Sequence, residues 1–315
     1  MTPIDPEWLR LLPLPESPGW RSEGNIARFN QMREVLPEEL TPSAYWTLRV
    51  CEEFNHQMDS SEWRAAYLPP GFQYAGVGFL NPSIDGYLPG AFGVILYTSD
   101  DVPERLRPPF QDVLWVDEIG FLMVRRSVTF EDHVSVTSPF QGSITCWARS
   151  RVSDPQPCEG WLTAGHVVRD ASGSVDFSDG ASGKIIDQAS LCIDAAVVDT
   201  TNPCSVKSQL TVRPAVPGTK VSFPQLAGGT VTSDIWDVAS TFGQMGSAHF
   251  PVRFAMGDYG VGGDSGALVS SNPGDIVGIY LGRYQASIRG VKYPIGGFGL
   301  SAENLQEVME MEFYS

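Results

Sequence analysis

Lysine is absent from the first 183 residues, and basic side chains are scarce throughout: 21 Lys and Arg stand against 37 Asp and Glu, a net charge of −16. The deficit is even, −9 over residues 1–125 and −7 over the rest, so it is not an acidic tail. Without a basic cluster to neutralise phosphates, nucleic acid is excluded as the main partner, while basic peptides stay open. Long apolar runs are missing too: none approaches the ~20 residues of a membrane span. The start has no basic stretch leading into an apolar one, as a secretory signal needs. Five Cys (Cys51, Cys146, Cys158, Cys192, Cys204) form an odd set with no CxxC. Free thiols in a reducing cytoplasm are therefore expected, and no membrane partner. Any closeness of Cys146 to Cys158, or Cys192 to Cys204, is read as chance. No His shares metal-ligand spacing with Cys or Asp, so neither a metal nor a cofactor is expected.

What is present is a good core and abundant punctuation. Hydrophobic residues make up 42% of the 315, with 32 Gly and 24 Pro, which predicts short elements joined by many turns. The length suggests about two domains. Residues 1–24, rich in Pro, read as an extended lead. From Asn25 to Arg64 the composition is helical. Pro37 and Pro42 split it, with Thr41 as N-cap of a helix running to Met58 that buries Tyr45, Leu48, Cys51 and Phe54. Residues 66–125 read as a small α/β module: strands at Gln73–Leu80, Phe92–Thr98, Val113–Val116 and Phe121–Val124, and one helical turn at Asp101–Leu106. It holds no nucleophile–base pair and no phosphate loop, so a regulatory or packing role is assigned to it. From Val128 onward short β-prone runs alternate with turns, which predicts an antiparallel sandwich or barrel. A single helix closes the chain at Ser301–Met311, with Ser301 as N-cap, Glu303 at the positive end and Leu305, Val308 and Met309 on one face. The domains expected are thus 1–65, 66–125 and 126–315, α+β overall.

Three segments of the β region carry chemistry. In Gly160–Val168, His166 ends an apolar strand after small residues, so its ring can enter a cleft. In Leu191–Val198, Asp194 sits among apolar neighbours, where a carboxylate needs a hydrogen-bonding partner to offset desolvation. In Gly262–Val269, Ser265 lies in a glycine-rich loop able to turn sharply and aim N–H groups inward. A Ser hydroxyl needs a base to become a nucleophile, and an imidazole can take and return that proton. Asp187 and Asp199 compete for the acid role but border an exposed strand end and a polar turn. His56, His133 and His249 lack a comparable setting.

Together these boxes (TAGH at 163–166, Asp194 with its apolar flanks, GDSG at 263–266, in the order His, Asp, Ser) resemble the trypsin/chymotrypsin-like serine peptidases over residues 130–315. The resemblance implies two six-stranded β-barrels with a groove between them. It implies Ser265 as nucleophile, His166 as base, Asp194 as orienter, and the backbone N–H groups of Gly263 and Ser265 as oxyanion hole. It puts Asp258 and Tyr259 near the floor of the specificity pocket and Leu281 and Gly282 on its wall, where Asp258 could attract a basic side chain. Protein or peptide substrates follow. Two features depart from the family: the disulfide that brackets the His region is missing, and no activation terminus is available to pair with Asp264. Asp264 must find another partner, and residues 1–125, or a regulatory protein bound to them, are expected to control the oxyanion loop. The helix, GVGFL and GVILYTSDDVPERLRPPF pattern loosely resembles the small domain preceding intracellular trypsin-like peptidases of bacteria. The alternatives are a catalytically dormant binding or scaffold protein of the same fold, and an acyl hydrolase, against which the missing GxSxG and the residue order argue.

Overall fold

The computed structural model describes residues 3–14, 23–85, 87–99, 111–132, 142–151, 159–169, 174–178, 181–188, 193–200, 208–239, 253–288 and 291–315. The proposed turn at Asp101–Leu106, together with His133, His249, Cys158, Cys192 and Cys204, lies outside them. Among the described residues no helix is long and apolar enough to cross a membrane.

Helices α1 (Pro6–Arg10), α2 (Glu23–Val35), α3 (Thr41–Met58) and α4 (Ser61–Tyr67) open the chain. The lead expected to be extended is instead partly helical. Asp5 caps α1 by accepting from the Glu7 N–H (2.9 Å), and Pro6 supplies a preset φ at its first turn. Ile4, Leu9 and Leu12 are buried, and the Ile4 N–H donates to Asp234 at 2.9 Å, so the lead is docked. In α3 the buried side is Tyr45, Trp46, Val50 and Phe54, with Leu48 and Cys51 at its margin. The missed members were Val50 and Trp46, whose indole N–H reaches the Pro13 carbonyl at 3.0 Å. Thr41 is the first helical residue and not the cap: its hydroxyl bonds back to the Pro37 carbonyl.

Next come β1 (Phe72–Phe79), α5 (Pro82–Asp85), β2 (Phe92–Ser99), β3 (Gln111–Val116) and β4 (Ile119–Asp132). Then β5 (Trp147–Ser150), β6 (Glu159–Ala164), α6 (Gly165–Val168), β7 (Ser174–Asp176), β8 (Ser182–Gln188) and β9 (Ala195–Thr200) lead to the second half of the β region. There lie β10 (Thr211–Val212), β11 (Lys220–Pro224), β12 (Thr230–Ala239), β13 (Arg253–Met256), β14 (Leu268–Val269), β15 (Asp275–Ile276), β16 (Gly278–Ile288) and β17 (Val291–Ser301). Helix α7 (Ala302–Val308) and strand β18 (Met311–Tyr314) finish the chain.

The architecture is α+β, and its β region has two units. One is a six-stranded sheet in the order β18-β5-β6-β9-β8-β7. The other is a ring, β11-β12-β13-β17-β16-β14, closed where Ser222 and Ser270 exchange backbone hydrogen bonds of 2.8 and 2.9 Å. Val221, Phe223, Ile235, Phe254, Met256, Val277 and Tyr280 fill it, with Phe223 stacked on Tyr280 at 4.3 Å. The chain does not end in the expected helix: β18 continues past it and pairs with β5.

A further ring runs through the N-terminal half. The far ends of β12 and β16 pair with β1 and β4, and β2 bridges those two, so β12-β1-β2-β4-β16-β17-β13 also closes. Bulges at Ile235/Asp237 in β12 and at Tyr280/Gly282 in β16 mark the change from one ring to the other. The boundary expected at residue 125/126 falls inside β4, whose 14 residues belong to this ring from end to end. The ring holds a buried polar cluster. Arg126 bonds Asp85 (Nη2–Oδ2, 2.6 Å) and the Tyr97 hydroxyl (2.9 Å), and that hydroxyl donates to Asp237 at 2.8 Å. Arg126 also lies 3.7 Å from Asp237. Burial raises the Asp237 carboxyl to about 6 despite the nearby guanidinium.

Candidate active site

His166 sits in the single turn of α6, whose preceding residues pair as β6 with β9; Asp194 immediately precedes β9. The ladder Thr163↔Ala196, Ala164↔Ala195 therefore sets acid beside imidazole without any choice of loop. Asp194 Oδ1 accepts the His166 backbone N–H at 2.6 Å, and Oδ2 faces the His166 Nδ1 in a short hydrogen bond. Burial acts to raise the Asp194 carboxyl, but the two His166 bonds, its charge and Arg169, 3.9 Å away, bring it below its ordinary value. An ionised carboxylate on Nδ1 keeps the proton there and leaves Nε2 as the basic lone pair. Nε2 is buried and finds no hydrogen-bond partner among the described residues.

Ser265 lies on the other β unit, in the turn between β13 and β14, with Gly263 (φ 99°) and Gly266 (φ 93°) in the left-handed region. The segment 142–145 fastens this turn to the His side. The Ser143 N–H donates to the Ser265 carbonyl (2.7 Å) and the Ser143 hydroxyl to the Gly263 carbonyl (3.0 Å), while Thr163 of β6 donates to the Ser143 carbonyl (2.7 Å). A Cβ built on Gly142 would lie 2.5 Å from Val167, the residue after His166, and 3.1 Å from the Ser265 carbonyl. The serine turn and the histidine helix are thus one glycine apart. Ser265 itself is fully buried, and its hydroxyl donates to the Leu281 carbonyl of β16, not to His166.

The departures noted in the sequence have structural answers. Asp264, fully buried, is satisfied without a terminal amine: Oδ1 accepts the Leu226 N–H and Oδ2 the Val261 N–H, each at 2.8 Å, with Gln225 at 3.4 Å. Cys146 is a free, buried thiol whose pKa burial pushes far up, so it is an inert core residue. Of the residues that the resemblance puts at a specificity pocket, Leu281 is buried and touches Ser265 through its carbonyl, and Gly282 sits at the β16 bulge. Tyr259 is 36% exposed and carries the Arg283 guanidinium 5.8 Å over its ring. Asp258 is drawn toward β12, where its N–H bonds Ser233 and its charge bears on Asp234. Arg283, which the sequence reading passed over, is the cation over that ring. Its signal was its place two residues beyond Leu281.

No protein-family model matches the chain, and no curated protein does. Solved structures give similarities. Thermobifida fusca protease A matches at 16% identity and TM-score 0.40, covering 58% of this chain and 96% of that one. A glutamic acid-specific serine protease matches at 17% and 0.39, covering 55% and 98%. The Nocardiopsis protease NAPase matches at 17% and 0.38, covering 56% and 98%.

Proposed function

We propose that the chain is a serine endopeptidase that cleaves protein or peptide substrates through an acyl-enzyme, with Ser265 as nucleophile, His166 as general base and Asp194 as its orienter. The observation that carries this is the doubly bonded Asp194–His166 pair, which aims an unpartnered Nε2 away from the carboxylate and lies one glycine from the Ser265 turn. Rotation about the Ser265 Cα–Cβ bond, exchanging the Leu281 carbonyl for Nε2, is the step that readies the nucleophile. Attack would put the developing oxyanion near the Gly263 and Ser265 N–H groups, worth about 3–4 kcal/mol per donor. The Asp264 contacts hold that loop in place of an activation terminus. The free, buried thiol of Cys146 supports a reducing compartment, the cytoplasm. We assign residues 1–65 and 66–125 a regulatory part in an otherwise 126–315 peptidase unit, since Asp85 and Tyr97 bear on Tyr284 of β16.

Labelling with an alkyl fluorophosphonate tests the reading: it should tag the wild-type chain and be lost in Ser265→Ala. A second reading, a dormant scaffold of this fold, is favoured by one observation, the Ser265 hydroxyl bonded to Leu281. A wild-type chain that stays unlabelled would establish that reading and remove the first.

A further inference from the structure

An extended peptide reaches a nucleophile beside a sheet most simply by adding a strand to the free edge. Along β16 that edge is shared among three neighbours. Ile279 and Gly278 pair with β14; Tyr280 bonds the serine turn through Gly266 N–H (2.8 Å) and the Ala267 carbonyl (2.9 Å); Gly282 to Gln285 pair with the end of β4. Leu281, whose carbonyl holds the Ser265 hydroxyl, lies between. A peptide carbonyl must come to ~3 Å from that hydroxyl. At ~3.4 Å per residue, a strand passing Leu281 must continue along Gly282 and Arg283. Those positions pair with Asp132 and Glu131.

We infer, resting on the peptidase reading above, that residues 129–132 of β4 occupy the strand edge through which a substrate peptide would reach Ser265, so that the chain carries its own competitor for that edge. The pairing is antiparallel and in register, Thr129↔Gln285 through Asp132↔Gly282. An edge N–H or C=O serves one partner strand, so substrate and β4 exclude each other. The competitor is the last four residues of its strand. Among the described residues the pairing of β4 with β2 runs as far as Ser99↔Val128, and residues 129–132 pair with β16. Residues up to Val128 stay paired with β2, with Arg126 in its buried cluster, so peeling four residues opens the ring at the β4–β16 seam and leaves those contacts in place.

Two probes of the full chain separate the possibilities. An alkyl fluorophosphonate needs Ser265 alone, whereas phosphonates carrying tripeptides, varied at the residue next to phosphorus, need the edge as well. The wild-type chain should react readily with the first and slowly with the second. Once a tripeptide adduct has formed, the amides of 129–132 should lose hydrogen-exchange protection, while the alkyl adduct leaves them protected. Thr129→Pro, which removes a strand N–H, should speed tripeptide labelling about tenfold and change alkyl labelling less than twofold. If that variant does not fold, the exchange measurement on wild type decides. Tripeptide adducts with 129–132 still protected, a parallel change of both rates, or no tripeptide labelling in the folded variant would overturn the inference. Failure of the alkyl probe in both proteins would instead sink the peptidase reading, and the inference with it.

Discussion

His166, Asp194 and Ser265 stand out as candidates in the sequence because chemistry restricts which residues can stand in an apolar strand end or a glycine turn. Asp194 could be chosen over Asp187 and Asp199 because a carboxylate flanked by Ile193 and Ala195 must have a partner, and it has two bonds from His166. What spacing could not convey was a rotamer: nothing in GDSG says that the hydroxyl turns to Leu281. Asp194→Asn would leave the geometry but release the Nδ1 tautomer, and phosphonate labelling at pH 7 should fall by roughly 10³–10⁴. Gly266 is constrained twice, by φ 93° and by the Ser143 carbonyl lying where a Cβ would go. Gly266→Ala should therefore cost about 2–3 kcal/mol in urea unfolding and slow labelling as the turn shifts.

Among elements, the strands richest in β-branched residues were found to within a few positions, and those dressed as loops were not. In β17 the run Pro294–Gly299 reads as turn punctuation, yet its glycines are required by packing: a Cβ on Gly299 would meet the Phe254 ring at 2.6 Å. Strand β18 was hidden because the helical pattern runs on to Met311. The chain leaves the helix at Glu310, a non-glycine residue at φ 50°. Helix α7 begins at the expected N-cap, Ser301, though that hydroxyl makes no capping bond. Val308 faces solvent, while Leu305 and Met309 are buried. Its Glu303 is raised to about 7 by desolvation. With an unfolded value near ~4.3, the folded state binds the extra proton, so this group makes stability fall as pH climbs from about 4 to 7. Glu303→Gln should be stabilising at pH 8 and near neutral at pH 4 by urea unfolding.

At the scale of the molecule, composition and turn spacing announced an α+β chain with a β region, but not that β1, β2 and β4 join the strands of the C-terminal half. Long-range pairing leaves no local signature, and GVGFL or GVILYT reads alike in a separate module or a shared ring. The cluster of Arg126, Asp85 and Asp237 was illegible for the same reason. Each partner comes from a different element, and Arg126 looks like half of an ordinary surface Arg-Arg pair. Removing the cation alone would leave two buried carboxylates facing each other. Arg126→Met should thus cost about 3–5 kcal/mol, read from the urea midpoint. A 126–315 fragment would lose β1, β2 and half of β4 from a ring, so it should aggregate on expression instead of reporting on regulation.

Strand β16 is threaded through both closed rings, so its alignment is fixed twice. Because neighbouring strand residues point to opposite sides, a slip of one position exchanges inside for outside. A single residue inserted between Tyr280 and Tyr284 would have to be absorbed against β14 and the serine turn at one end and β4 at the other. No frame shift satisfies both, and length in this stretch should tolerate change less than anywhere else in the chain.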